Sequence, residues 1–387
     1  DQEKTTAYLE EHEGELNRDA VDYGLTRENG EFKIIEGQDG IVVDVAKSVD
    51  TIDESFQAGW KADSTIELVA EVSKPKGSEE ELQKVKDVLG TFSTKYASSA
   101  SGRKANIANG SKKIDGTVIY PGDEFSVYQT VAPFNADNGY KLAGAYENGT
   151  TVDAYGGGIC QVSTTLYNAV IRAELEVTER SGHSMIVNYV DPSADAAIAG
   201  EYKDFKFKNS TEAPIYIESY ANGTTISFTI YGQETRPANR SISFVSETLS
   251  TTDPGVKFQE SSDAVGTISK TQSSHVGKSA RLWMVVTVDG VEESREVFNK
   301  TTYKASPTIY AVGVSSENPE AVSAMKAAIA TQDEGTIRAA AAQWKNAVQQ
   351  PEQTTDPTQD PNASQTQPAD GTNQAGQTDN SAQQTQP

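Results

Sequence analysis

Apolar positions along the chain change period several times, and each change marks a new section. Over residues 161–175, Val162, Leu166, Ala169, Val170 and Ala173 recur at helical spacing, which predicts a helix with one buried face. Residues 184–190 and 202–208 alternate as strands do. Residues 214–220 and 224–231 flank Asn222-Gly223, which predicts a tight hairpin. From 240 to 316 the pattern is all-β, with strand-like runs at 241–245, 281–288, 295–303 and 308–314 and a turn at Asp289-Gly290. Two helical stripes follow: Ala321, Met325, Ala328 and Ile329, then Ile337, Ala341, Trp344 and Val348, with Gly335 as the break and Pro319 in a first turn.

The first 90 residues mix periods. A short helix is predicted at 16–23, strands at 32–35 and 41–44 around a turn at 37–40, a helix at 50–58 and a strand at 65–72. Residues 92–99 then lead into a polar stretch, 101–110, and a turn at Pro121-Gly122-Asp123. The expected architecture is α+β and multidomain. It comprises a small α+β module (1–90), an α+β domain (91–236) with Cys160 at a helix N-terminus followed by antiparallel strands, a β-rich module (237–316), a helical hairpin (317–350) and a tail (351–387). The tail is Gln-, Thr- and Pro-rich, without an aromatic residue or any Leu, Ile or Val, so nothing there offsets ordering entropy and disorder is expected.

Charge narrows the partners. The 387 residues carry 56 acids against 33 bases, a formal net charge of −23. That balance argues against nucleic acid, whose phosphates need Lys and Arg, and against a polybasic membrane contact. The acidity is concentrated in residues 1–90, with 23 acids and 10 bases, and reads there as a solvated face. No run approaches the roughly 18 apolar residues of a spanning helix, and no signal peptide is seen. The chain starts at Asp1 without an initiator Met, so we expect an ectodomain whose membrane attachment, if any, is an anchor removed from its start. A single Cys excludes an internal disulfide framework and a Cys-rich zinc site, and His12, His183 and His275 are too scattered for a His-rich metal centre. No cofactor and no metal are expected.

That one Cys carries the candidate chemistry. Glycines 156–158 precede it and the predicted helix follows, which puts Cys160 at a helix N-terminus. Unpaired N–H groups and the helix dipole favour a thiolate there, and a low-pKa thiolate is the attacking species in acyl transfer. Gly157 and Gly158 would let a substrate backbone approach closely, with nearby N–H groups as an oxyanion hole. His183, 23 residues on, is the imidazole available between residues 13 and 274. Its orienting third group is open among Asp195, Asn188 and Asp191. The plain alternative is a small buried Cys beside a glycine turn, with a structural His.

The run Gly156-Gly-Gly-Ile-Cys-Gln-Val-Ser-Thr-Thr-Leu-Tyr-Asn-Ala closely resembles the VanW family of bacterial cell-envelope proteins. Pro121-Gly-Asp-Glu-Phe-Ser, Glu179-Arg-Ser-Gly-His-Ser-Met, Asp204-Phe-Lys-Phe-Lys-Asn, Arg103-x-x-Asn106-Ile107 and Ile114-Asp-Gly-Thr-Val-Ile extend the resemblance over about 95–232. Residues 1–90 resemble the peptidoglycan-binding module often found before that domain. Residues 240–314, with Gly255, Gly266, Gly277, Gly290 and Gly313, resemble the five-glycine extracellular module, which is associated with cell-wall sugars and adhesion.

The resemblance implies work at the extracellular face of a Gram-positive envelope, with peptidoglycan stem peptides and glycan as partners. It implies L,D-transpeptidase activity, which makes 3→3 cross-links through a thioester on Cys160, with His183 as general base and acid. By the same resemblance Arg103 would grip a substrate carboxylate, and Asn106, Ser163, Thr164 and Tyr155 would line the pocket. The chain lacks the Ser/Thr-His-Gly-Cys run of better-known L,D-transpeptidases, so their geometry does not transfer. Two other readings stand beside this one: a non-catalytic peptidoglycan-binding protein, and a Cys peptidase of stem peptides.

Overall fold

A computed structural model of the chain describes residues 1–348 except 62, 64, 148 and 149. The expected disordered tail, 351–387, lies outside the described residues.

The centre is a four-stranded antiparallel sheet in the spatial order Asp87–Lys95, Thr225–Gly232, Ile215–Ala221, Thr117–Ile119. Period-2 alternation buries Ile226, Phe228 and Ile230 on one face, while Thr225, Ser227 and Thr229 stay partly exposed. Helices Ser101–Ile114 and Ile159–Arg172 pack over this sheet and against each other. Ile107, Ile114, Val162, Leu166 and Phe228, all fully buried, tie the three together. The second helix lies so close to the first strand that a Cβ on Gly90 would sit 2.3 Å from the carbonyl of Ala169 and 2.5 Å from the amide of Ala173. A smaller sheet, Glu176–Glu179, Lys206–Lys208 and Glu124–Ser126, closes the far side.

Several expectations are corrected here. The polar stretch 101–110 is part of the helix Ser101–Ile114, whose buried stripe is Asn106, Ile107, Gly110, Ser111 and Ile114. Only two of those are apolar, so hydrophobic periodicity could not reveal it. The strand expected at 184–190 does not form, and that at 202–208 shrinks to Lys206–Lys208. Residues 180–198 run instead as an irregular loop, because their backbone groups bond outside any ladder: Lys304 N–H donates to Ser184 O at 2.7 Å and Ala197 N–H to Ser181 O at 2.7 Å.

In the N-terminal part, the helix expected at 16–23 is replaced by Gln2–Glu11 and Glu13–Leu16, and the strand at 65–72 by Ala70–Ser73. The strands beside the 37–40 turn do not pair with each other. Glu31–Ile35 pairs with Gly24–Glu28, and Gly40–Val43 with Ala70–Ser73. Asp44 caps the helix Val45–Gln57 by accepting from Lys47 N–H at 3.0 Å. Arg27 reaches the central domain through Glu218 at 2.8 Å, and Phe32 packs edge-on against Tyr216 and Tyr231.

The β-rich part is two three-stranded sheets. Arg240–Thr252, Gly277–Val288 and Val291–Tyr303 form an antiparallel set, with Asp289 and Gly290 both left-handed in the hairpin turn. Val256–Ala264 and Thr308–Ser315 pair in parallel, with Ile268–Gln272 on the other edge. Helices Pro319–Ala330 and Glu334–Val348 cover this second sheet, burying Met325, Ile329 and Ile337 against Phe258 and Val312. Gly335 lies inside the second helix, so the break falls at 331–333 and not at that glycine. Leu282 joins the central core and Phe244 packs on it, so the β-rich part abuts the central domain.

Gly90→Ala should destabilise the central domain by about 1–3 kcal/mol, because a rigid backbone must move to admit the methyl. Thermal unfolding followed by circular dichroism checks this. An unchanged melting temperature would contradict the close approach of strand and helix.

Candidate functional site

Ile159–Arg172 begins directly after Gly158, whose φ of 110° is left-handed. Gly157 turns tightly under the neighbouring strand, where a Cβ would meet Ala143 O at 2.5 Å. Cys160 therefore lies in the first turn of a fourteen-residue helix, where its N–H has no helical acceptor. Its side chain is partly buried, and the Sγ–H donates to Ile198 O at 3.3 Å.

The loop 180–198 returns His183 to Cys160. The His183 ring Nδ1 is 2.6 Å from Asp195 Oδ2, and the His183 backbone N–H donates to the same oxygen at 2.7 Å. With Nδ1 so held, Nε2 is left clear of Asp195, and the imidazole shares a cavity wall with Cys160, so that each side chain shifts the other's pKa. Tyr189 Oη stands 3.4 Å from Nε2. Asp195 is 0 % exposed, and its other oxygen faces Arg180 Nη2 at 3.1 Å and Tyr303 Oη at 2.5 Å.

These contacts set the charges. Burial works against a Cys160 thiolate, but the bond and charge of His183 outweigh it, so the pKa falls below the usual 9.0. Burial also opposes protonation of His183, yet Asp195 and the thiolate prevail and lift its pKa from 6.5 to about 9. Asp195 loses solvation too, but the bond and charge of His183, with help from Arg180 and Tyr303, pull it down to about 2. The arrangement is a thiol whose pKa is lowered beside an imidazole held protonated at neutral pH and an ionised carboxylate, which suits attack on a carbonyl and protonation of a leaving amine.

Cys160 and His183 line a cavity of about 480 Å³, with Phe134, Tyr155, Gly157, Gly158 and Tyr202 on its walls. A second cavity of about 440 Å³, with Lys95, Asn188 and His275 on its walls, shares Arg103, Gln161 and Tyr189 with the first. Among the described residues no group of His, Cys, Asp and Glu could hold a metal ion, and no helix is long and apolar enough to cross a membrane.

The sequence-predicted residues divide into two sets. Cys160, His183, Asp195, Gly157, Gly158, Tyr155 and Arg103 come together at the cavity or its relay. Arg103 spends one N–H of each terminal nitrogen on Ser99 Oγ and Gln161 Oε1, both at 2.8 Å. Of the candidates for the third group, Asp195 meets the imidazole, while Asn188 and Asp191 are exposed, with Asn188 on the wall of the second cavity.

Asn106, Ser163 and Thr164 are buried and line neither cavity, which corrects their placement in the pocket. Asn106 is saturated by backbone: it donates to Lys141 O at 2.9 Å and Gly157 O at 3.0 Å, and accepts from Lys141 N–H at 2.7 Å. It thus braces the glycine turn. Thr164 Oγ1 donates to Ala196 O and accepts from Ala196 N–H, pinning the loop behind Cys160. Ser163 Oγ has no partner among the described residues.

Sequence reasoning missed Gln161, Arg180, Tyr189 and Tyr303. Gln161 follows the nucleophile candidate directly and donates to Thr94 Oγ1 and Lys95 O. Its polar side chain on the inner face of an apolar helix was a usable signal. Tyr303 is 108 residues from Asp195 and left none.

The family described as "VanW like protein" matches residues 102–231, and "Putative peptidoglycan binding domain" matches residues 1–65. "Uncharacterized protein YoaR" of Bacillus subtilis is 38 % identical over 146 residues, which is 38 % of this chain and 48 % of the relative. "Vancomycin B-type resistance protein VanW" of Enterococcus faecalis is 30 % identical over 118 residues, 29 % of this chain and 42 % of the relative. The chain thus spans about half the length of these curated relatives or less. Two solved G5 domains each cover 19 % of the chain: that of IgA1 protease, at 28 % identity, 90 % of its own chain and a TM-score of 0.15, and HP0197-G5, at 21 %, 95 % and 0.12. The domain that presents Cys160, His183 and Asp195 is the one the family match covers, so the chain contains a VanW-like domain preceded by a stretch similar to a peptidoglycan-binding domain.

Proposed function

We propose that this protein is a Cys-dependent acyltransferase of the bacterial cell wall, an L,D-transpeptidase that joins peptidoglycan stem peptides by 3→3 cross-links. The observation that carries the reading is the grouping of Cys160, at a helix N-terminus, with the His183–Asp195 pair on the wall of a peptide-sized cavity. The match of residues 1–65 to a peptidoglycan-binding family supports peptidoglycan as the partner and the outer envelope as the place of work.

In this mechanism the Cys160 thiolate attacks the carbonyl of the third stem residue. The oxyanion develops next to the Cys160 N–H, which the helix leaves without an acceptor. Collapse breaks the peptide bond, His183 gives its proton to the departing D-Ala amine, and a thioester remains on Cys160. The side-chain amine of a neighbouring stem then attacks the thioester and passes a proton to His183, and the thiolate leaves. The second cavity, joined to the first at Arg103 and Tyr189, offers space for that acceptor. Asp195 holds the imidazole in one tautomer throughout.

Purified protein and its Cys160→Ala variant should be incubated with disaccharide-tetrapeptides and the products weighed by mass spectrometry. The reading expects a dimer equal to two tetrapeptides less one D-Ala, absent with the variant. Tripeptide alone would replace transfer by hydrolysis and make the protein a peptidase. Unchanged substrate with a folded protein, on crude sacculi as well, would favour a wall-binding role.

The charge state makes a separate prediction. Alkylation of Cys160 by iodoacetamide should reach half its maximal rate at a pH below 9.0, and His183→Ala should move that midpoint up. Turnover should fall as pH rises through about 9, where His183 loses the proton owed to the leaving amine. A stopped-flow pH profile checks both, and a native midpoint at or above 9.0 would contradict the thiolate–imidazolium pair.

A further inference from the structure

The side of Asp195 away from His183 is built by another part of the chain. Tyr303, at the end of the strand Val291–Tyr303 in the β-rich part, is 2 % exposed and donates its hydroxyl to Asp195 Oδ1 at 2.5 Å. The same hydroxyl accepts from Ser193 N–H at 2.6 Å. Ser193 is fully buried and has a left-handed φ of 69°, a conformation that a non-glycine residue keeps only when its surroundings hold it.

Thr301, two residues earlier on the strand, bonds Ser193 Oγ at 3.1 Å and accepts from Arg180 Nη1 at 3.0 Å. Arg180 in turn holds Asp195 through Oδ1 and, at 2.7 Å, through its backbone carbonyl. Backbone joins the two parts as well, with Lys304 N–H on Ser184 O at 2.7 Å, directly after His183. Ser246, on the opposite edge strand of the same sheet, donates to Pro192 O at 2.6 Å.

Resting on the catalytic reading above, we propose that the β-rich part completes the reaction centre, with Tyr303 as a positioning residue that fixes Asp195 against His183 and Thr301 as its support. A carboxylate with one oxygen on the imidazole and the other unheld can rotate away. Here Arg180 and Tyr303 together stop it. The donor that does so comes from outside the residues the family match covers, 102–231. The VanW-like domain alone therefore holds the nucleophile and base but lacks one wall of the relay.

A double-mutant cycle in the full chain tests this. Tyr303→Phe keeps the ring and removes only the hydroxyl. The rate of Cys160 alkylation by iodoacetamide, measured across pH, needs no substrate and reads the thiolate directly. Tyr303→Phe should raise the midpoint and slow alkylation on the acid limb about tenfold, the usual weight of a hydrogen bond to a charged group. In an Asp195→Asn background the same change should have almost no effect, because the group through which it acts is gone. Thr301→Val should give a smaller shift in the same direction.

Equal effects in both backgrounds would make Tyr303 merely structural and overturn the proposal. So would a native profile with Tyr303→Phe while Asp195→Asn slows alkylation. If Asp195→Asn itself leaves alkylation unchanged, the relay reading fails first, and the proposal falls with it.

Discussion

A carboxylate removed from water costs several kcal/mol unless donors replace its hydration, and Asp195 is fully buried. Two N–H groups of His183 serve one oxygen, and Arg180 with Tyr303 serve the other. Meeting that demand shapes much of the structure around it. The loop 180–198 gives up strand pairing so that Arg180, His183 and Asp195 can converge, and Ser193 takes a left-handed conformation so that the chain can turn back. The β-rich part is drawn against the central domain through the same group.

The thiol stands on firmer ground. Cys160 belongs to a long helix packed on the central sheet, and its first turn is fixed by the glycine turn that Asn106 braces. Thr164 and Asn168, on that helix, reach out to hold the backbone of Ala196 and Ala194. The helix thus carries the thiol and also clamps the segment that carries Asp195. Helix and loop are thus tied at several points beside the imidazole, and the geometry around Cys160, His183 and Asp195 is held from both sides.

How much of this could be read in the sequence depends on the range of the interaction. Cys160 at a helix start was legible, because helical period and a glycine run are local signals. So were the hairpins at Asn222-Gly223 and Asp289-Gly290, whose turn chemistry is written in two residues. His183 could be named as the available imidazole, but its third group stayed open among three. The choice of Asp195 over Asn188 and Asp191 is made by an irregular loop, and no period encodes such a loop. Asn106, Ser163 and Thr164 were misplaced for a related reason. Polar residues near a motif look like pocket residues, and only burial shows that Asn106 and Thr164 satisfy backbone instead. The helix Ser101–Ile114 was hidden because its buried face is largely polar and small. Tyr303 was beyond reach, since a contact 108 residues away leaves no local trace.

The central claim is that Cys160 forms a covalent bond to a stem peptide. Intact-protein mass spectrometry of the full chain, quenched in acid seconds after mixing with a tetrapeptide stem, tests it most directly. The account predicts a fraction of protein heavier by the tripeptide acyl group, released by hydroxylamine and absent in Cys160→Ala. A folded protein that turns substrate over without any such adduct, or one whose adduct survives Cys160→Ala, would contradict it.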